Sequence, residues 1–104
     1  MTSAITRSAK GEECQVRLPH WCSFDRSTVV WSHANGSAAG KGIGMKASDL
    51  IGAYACFACH QAYDRQRKPP HLTRDEIEVA WWEGHARSLI LLEAKGLIST
   101  KRAA

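Results

Sequence analysis

No apolar run in this chain approaches the roughly 20 residues needed to cross a bilayer, which argues against a helical membrane span. The opening Met-Thr-Ser-Ala-Ile-Thr-Arg contains no apolar h-region, so no secretory signal is expected, and the cytoplasm is the expected compartment. Internal repeats and low-complexity segments are also missing, and 104 residues suit one domain, expected over 1–104. Acidic excess is absent too. Fourteen Lys and Arg stand against ten Asp and Glu, a net charge of +4 that favours an anionic partner, most commonly nucleic acid. Plain solubility is the simpler reading of so mild a charge. Cysteine is scarce: there are four, and in a reducing compartment they read as metal ligands rather than disulfides. What the chain does have is an ordinary apolar fraction of 44%, which argues against disorder. A chain this short buries only a modest core, which a metal staple would reinforce.

The local pattern predicts an α+β domain. Residues 3–10 read as a short helix ending at Gly11, and 12–26 as an irregular knuckle carrying Cys14, Pro19, Trp21 and Cys22. Residues 27–34 are β-branched and aromatic, as in a strand. Residues 35–48 form a basic loop with Gly36, Gly40, Lys41, Gly42, Gly44 and Lys46. Its spacing is wrong for a P-loop, which leaves a flexible loop or some phosphate contact. Residues 49–55 read as a short strand or the approach to a turn, and 56–67 as a helix stopped by Pro69 and Pro70. Thr73 and Glu76 have capping-box spacing ahead of a long amphipathic helix over 74–95. Ile77, Trp81, Leu89 and Leu92 share one face of it, and Gly96 is its expected C-cap. Trp81 and Trp82 read as core and interface residues. Trp82 and the run from Leu89 to Leu92 leave room for a homodimer contact. Neither His71 nor His85 has an evident role beyond structure or solvation.

The cysteines form two pairs, Cys14-x7-Cys22 and Cys56-x2-Cys59. Two thiolate pairs at about 2.3 Å from one ion are the usual construction of a closed, tetrahedral zinc site. All four residues are used, and Zn²⁺ is the expected structural ion. Such a site is coordinatively full and cannot itself activate water. Cys56-x-x-Cys59-His60 also matches the attachment motif of c-type haem. Haem would leave Cys14 and Cys22 unexplained, with Met45 the sole methionine beyond the start.

His60 follows a zinc ligand directly, and Asp64 lies four residues on, the helical spacing at which two side chains face the same way. An imidazole and a carboxylate there can grip a divalent cation, although a helix N-terminus nearby would oppose positive charge. His33 ends the first strand. A neutral imidazole can take a proton from water, so a strand-end histidine facing a His/Asp pair suits metal-assisted phosphodiester hydrolysis. The plainer alternative is that His60 shields the zinc site while Asp64 pairs with Arg65 or Arg67.

Ser32-His33-Ala34-Asn35, the glycine-rich loop, Asp49-Leu50-Ile51 and Cys56-x-x-Cys59-His60-x3-Asp64 resemble the HNH, or ββα-metal (His-Me finger), endonucleases. More closely, the chain is similar to the small nucleases of lambdoid prophages and related phages. The similarity runs from Gly11, Cys14, Val16 and Arg17 through Cys22 and His33 to Gly84, Ala86, Arg87 and the ending Lys95 to Ile98, over roughly 7–98. The resemblance implies a small zinc-stapled ββα-metal (HNH-like) fold with a long C-terminal helix, acting on DNA in the host cytoplasm. It gives His33 the general-base place, and His60 and Asp64 the places of a catalytic Mg²⁺ or Mn²⁺. Cys14, Cys22, Cys56 and Cys59 take the structural zinc. Ser32 stands where better-known HNH enzymes often have a further His or Asp ligand, and Asp49 is the nearest match to their middle Asn. Arg65, Arg67, Lys68 and Arg74 cluster just beyond the site, either as a solvated face or as holders of flanking phosphates. The alternative to an endonuclease is a non-catalytic zinc module that binds DNA or a protein.

Overall fold

The computed structural model describes residues 3–35 and 50–99. It is an α+β arrangement of one two-stranded sheet and three helices. Helix α1 (Ala4–Arg7) starts at Ser3, whose hydroxyl accepts from the Thr6 N–H. The following turn runs on to Gly11 at φ +80, the left-handed conformation that glycine takes at least cost. A 3₁₀ turn (Arg26–Thr28) precedes strand β1 (Val30–His33), which is therefore shorter than the 27–34 segment suggests. Strand β2 (Gly52–Ala55) pairs antiparallel with β1, His33 standing opposite Gly52 and Trp31 opposite Tyr54. Of the expected loop over 35–48, only Asn35 falls within the described residues, and Asp49 lies outside them as well.

Helix α2 (Phe57–Tyr63) begins at Cys56, as expected, but stops well before the prolines. Arg65 adopts φ +64, with Arg65 N–H on the Ala62 carbonyl and Gln66 N–H on the Gln61 carbonyl. These two bonds form a complete Schellman ending with arginine where glycine is usual. The side chain there costs about 1 kcal/mol, which is why the sequence gives no sign of the stop. Helix α3 (Arg74–Ala94) has the full capping box between Thr73 and Glu76. It closes in the same Schellman pattern on Gly96, φ +74.

Helix α3 packs chiefly along β2. Ile77, Trp81 and Leu92 are buried and Leu89 is half-buried, with Gly84 and Ser88 completing the inner face. Ser88 donates to the Gly84 carbonyl at 2.7 Å and accepts the Tyr54 N–H at 3.0 Å. The Tyr54 carbonyl takes the Gln15 N–H at 2.8 Å, so the outer edge of β2 is hydrogen-bonded on both counts. A Cβ on Gly84 would lie 2.9 Å from the Val16 Cα, so glycine is what lets the 14–17 segment close against α3. Trp81 stacks on Tyr63 at 4.4 Å, its indole N–H donating to Ser32 Oγ at 3.1 Å. Tyr54 meets Trp31 edge to face at 5.1 Å. Among the described residues no helix is long and apolar enough to cross a membrane.

Candidate functional site

The four cysteines converge. Their sulfurs all lie within 4.8 Å of one another, and Cys22 Sγ is 3.7 Å from Cys56 Sγ. Two sulfurs at tetrahedral positions 2.3 Å from one ion would stand about 3.8 Å apart, so the cluster could hold a metal ion such as zinc. The chain supplies them from two directions. Cys14 and Cys22 sit in the knuckle, while Cys56 and Cys59 open α2, with Cys56 as its N-cap accepting the Cys59 N–H at 3.4 Å. Backbone N–H groups of Arg17, Phe24 and Ser23 point at Cys14, Cys22 and Cys56 sulfurs at 3.4–3.5 Å. Arg17 and Phe24 reach these positions in left-handed conformations, φ 53 and 55. Donors aimed at sulfur fit thiolates.

Electrostatics make the same case. Burial pushes the Cys22 thiol up to about 12, and the sulfurs of Cys14 and Cys56 add to the shift. Contacts with Cys14 and Cys56, then burial, raise Cys59 as well. Cys56 moves the other way, because Cys14 and Cys59 both hydrogen-bond to it and stabilise its thiolate. Without a countercharge such a cluster favours one anion among neutral thiols. A dication lets all four ionise.

At the other end of α2, His60 Nε2 lies 3.2 Å from Asp64 Oδ2. The spacing expected from the sequence is therefore met as direct contact. Because α2 is only seven residues long, the pair occupies its last turn, with Asp64 as the C-cap. The helix dipole there is negative and favours a cation, the reverse of what a helix running to residue 67 implies. Asp64 Oδ1 accepts from Asn35 Nδ2 at 3.3 Å, and the Asn35 N–H donates to the Tyr63 hydroxyl at 2.9 Å. Asn35 thus orients the carboxylate, a contact that sequence spacing could not reveal. Arg74 closes the end of the helix by donating to the Ala62 and Tyr63 carbonyls at 3.0 and 2.7 Å and to Glu78. It is a buttress, unlike the exposed Arg65, Arg67 and Lys68 with which the sequence groups it. Asp64 pairs with His60 and Asn35, not with Arg65 or Arg67.

His33 ends β1, half-buried, two residues before Asn35. Among the described residues, the four thiols are the one group of three or more His, Cys, Asp or Glu side chains close enough together to hold an ion. Ser32 is fully buried and accepts from Trp81, so its hydroxyl is turned to the core. Strand alternation sends His33 to the other face. Two other histidines meet backbone carbonyls. His85 Nδ1 is 2.7 Å from the Gly52 carbonyl, and His71 Nε2 is 2.7 Å from that of Pro19.

Residues 3–97 match the model of the family described as "Putative nuclease YbcO". The chain belongs to this family. It is 33% identical over 94 residues to the "Putative nuclease YbcO" of Escherichia coli K12, covering 90% of this chain and 95% of that one. The same figures hold for the protein of that name from Enterobacteria phage 82. Among solved structures it is similar to "a putative bacteriophage protein" from Escherichia coli K-12, with a TM-score of 0.73 and 32% identity. That match covers 88% of this chain and 98% of the solved one.

Proposed function

We propose that this YbcO-family chain is a metal-dependent endonuclease of HNH type. It hydrolyses DNA phosphodiester bonds in phage or prophage DNA metabolism, in the host cytoplasm. The observation that carries the reading is the His60–Asp64 pair, whose Nε2 and Oδ2 lie 3.2 Å apart on a helix anchored by two of the four clustered cysteines. Two neighbouring ligands about 2.1 Å from an octahedral ion stand about 3.0 Å apart, so the spacing suits a small hard cation. The order of β1, β2 and α2, with a histidine ending the first strand and the His/Asp pair on the helix, agrees with a ββα-metal fold. The family's name supports nucleic acid as substrate.

In this reading Cys14, Cys22, Cys56 and Cys59 hold a structural Zn²⁺. His60 and Asp64 would hold Mg²⁺ or Mn²⁺, which when bound would supply positive charge to the scissile phosphate and the leaving 3′-oxygen. His33 takes the proton of the attacking water. Asn35 keeps one oxygen of Asp64 engaged, leaving the other to face His60. Tyr63 and Arg74 fix the helix end on which the pair sits.

A second reading, a zinc-bound module that holds DNA or a protein without cutting, has one observation in its favour. His60 Nδ1 is buried without a hydrogen-bond partner, which places the proton of the neutral ring on Nε2, toward Asp64. A simple imidazole–carboxylate bond satisfies that geometry. Plasmid nicking in Mg²⁺ or Mn²⁺ separates the two. The nuclease reading expects nicking by the parent and a loss of about a hundredfold or more in His33→Ala, with zinc content and melting temperature preserved. A folded His33→Ala protein that nicks as fast as the parent removes the base assignment. DNA retention without cleavage across several divalent ions establishes the second reading.

A further inference from the structure

Arg65, Arg67 and Lys68 are exposed cations in the short segment linking α2 to α3. Elsewhere Arg26, Arg74 and Lys95 pair with carboxylates of Glu13, Glu78 and Glu12. Arg65, Arg67 and Lys68 have no such partner among the described residues. They rim a cleft of ≈ 320 Å³ whose floor is Ala62, Leu72 and Ile77, and no carboxylate lines it. An apolar floor under a purely cationic rim is an unusual pairing. Solvated phosphate alone has no use for the floor, and an apolar ligand alone has no use for the rim.

Position adds a second constraint. A neighbouring hollow is bordered by Asn35 and Asp64, and Arg65 and Arg74 stand in the walls of both cavities. Whatever fills the cleft thus adjoins the His60–Asp64 end of α2. Arg65 also occupies the left-handed position that glycine would fill at lower cost.

Resting on the nuclease reading above, we propose that this cleft seats one unpaired nucleobase beside the scissile phosphate. Single-stranded or locally unpaired DNA is then the preferred substrate. A base offers a flat, weakly polar face to Leu72 and Ile77, while its flanking phosphates meet Arg65, Arg67 and Lys68. Stacking on side chains is available only to a base outside the duplex, and it tolerates any sequence. The floor carries no donors or acceptors to read a base edge, so the preference is for strandedness rather than sequence.

Fluorescence anisotropy on the zinc-loaded protein, without added Mg²⁺ or Mn²⁺, tests this apart from cleavage. The probes are a short oligothymidylate and a duplex of equal length. The single strand is expected to bind about tenfold tighter. Leu72→Glu should erase that margin. Arg65→Gly should weaken single-strand binding and flatten its salt slope by about 0.7, while melting no lower than the parent. Lys68→Glu, on an exposed side chain, provides the charge reversal should Leu72→Glu misfold, and it too should reduce single-strand binding. Equal or tighter duplex binding overturns the proposal, as does undiminished oligothymidylate binding by folded Leu72→Glu or by Lys68→Glu. Failure to cleave with strand preference intact counts against the nuclease reading alone. Nicking without strand preference counts against the base seat alone.

Discussion

The two ends of helix α2 make different kinds of site from neighbouring residues. At the N-terminal end, Cys56 and Cys59 are fully buried and meet the buried Cys14 and half-buried Cys22 from the knuckle. At the C-terminal end, His60 and Asp64 come from a single helical turn, and their side chains keep 28% and 26% exposure. The first arrangement could hold an ion with all four ligands supplied by sulfur, and an ion so enclosed would serve to hold the fold together. The second leaves a face open to solute. Sequence-remote ligands that converge in the interior act as a staple, whereas local ligands at the surface can meet a substrate. The cysteine end also orients the open one, because Cys56 and Cys59 tie the start of a helix only seven residues long to the knuckle.

Removing the ion from the closed end should have the largest effect. A structural zinc contributes on the order of 10 kcal/mol, comparable to the whole stability of an ordinary small domain. Strong chelation, or Cys59→Ser, is therefore expected to abolish cooperative thermal unfolding followed by tryptophan fluorescence, and zinc should restore it in the chelated protein. A chelated protein that melts as before would break the contrast. Next, Asp64→Ala at the open end should lower nicking by about a hundredfold or more while leaving zinc content and melting unchanged. Unfolding instead would make the open end structural too. Asn35→Ala should sharpen the contrast further, raising the Mn²⁺ concentration for half-saturation about tenfold by paramagnetic resonance, with zinc retained. The smallest expected effect is that of Arg74→Met, which keeps the stem but frees the Ala62 and Tyr63 carbonyls. It should cost about 1–2 kcal/mol in a denaturant melt without loss of zinc.

Much of this was readable before any coordinates. The Thr73/Glu76 capping box, the Gly96 ending and the inner face of α3 depend on spacings within one helix, and spacing is what a sequence displays. The cysteine quartet was legible because four sulfurs in two short-spaced pairs are the usual makings of a metal site. The end of α2 was not, since arginine rather than glycine takes the left-handed position. The hold of Asn35 on Asp64 was not legible for a different reason: the two lie 29 residues apart, and no periodic pattern links them. Ser32, which stands in sequence where better-known HNH enzymes often have a further ligand, is turned by the pleat to Trp81.

The chain's own order of residues determined the pairing of the four cysteines, the strand before His33, the start of α2, and α3 with the cap chemistry at its ends. These follow from short-range rules of pitch, pleat and donor type. Tertiary structure alone decided that α3 would close on the 14–17 segment at Gly84, that Ser88 would complete the edge of β2, and that Asn35 would hold the Asp64 carboxylate. Those contacts join residues far apart in the chain, and their existence depends on how close packed elements approach in space, a quantity that no local pattern encodes.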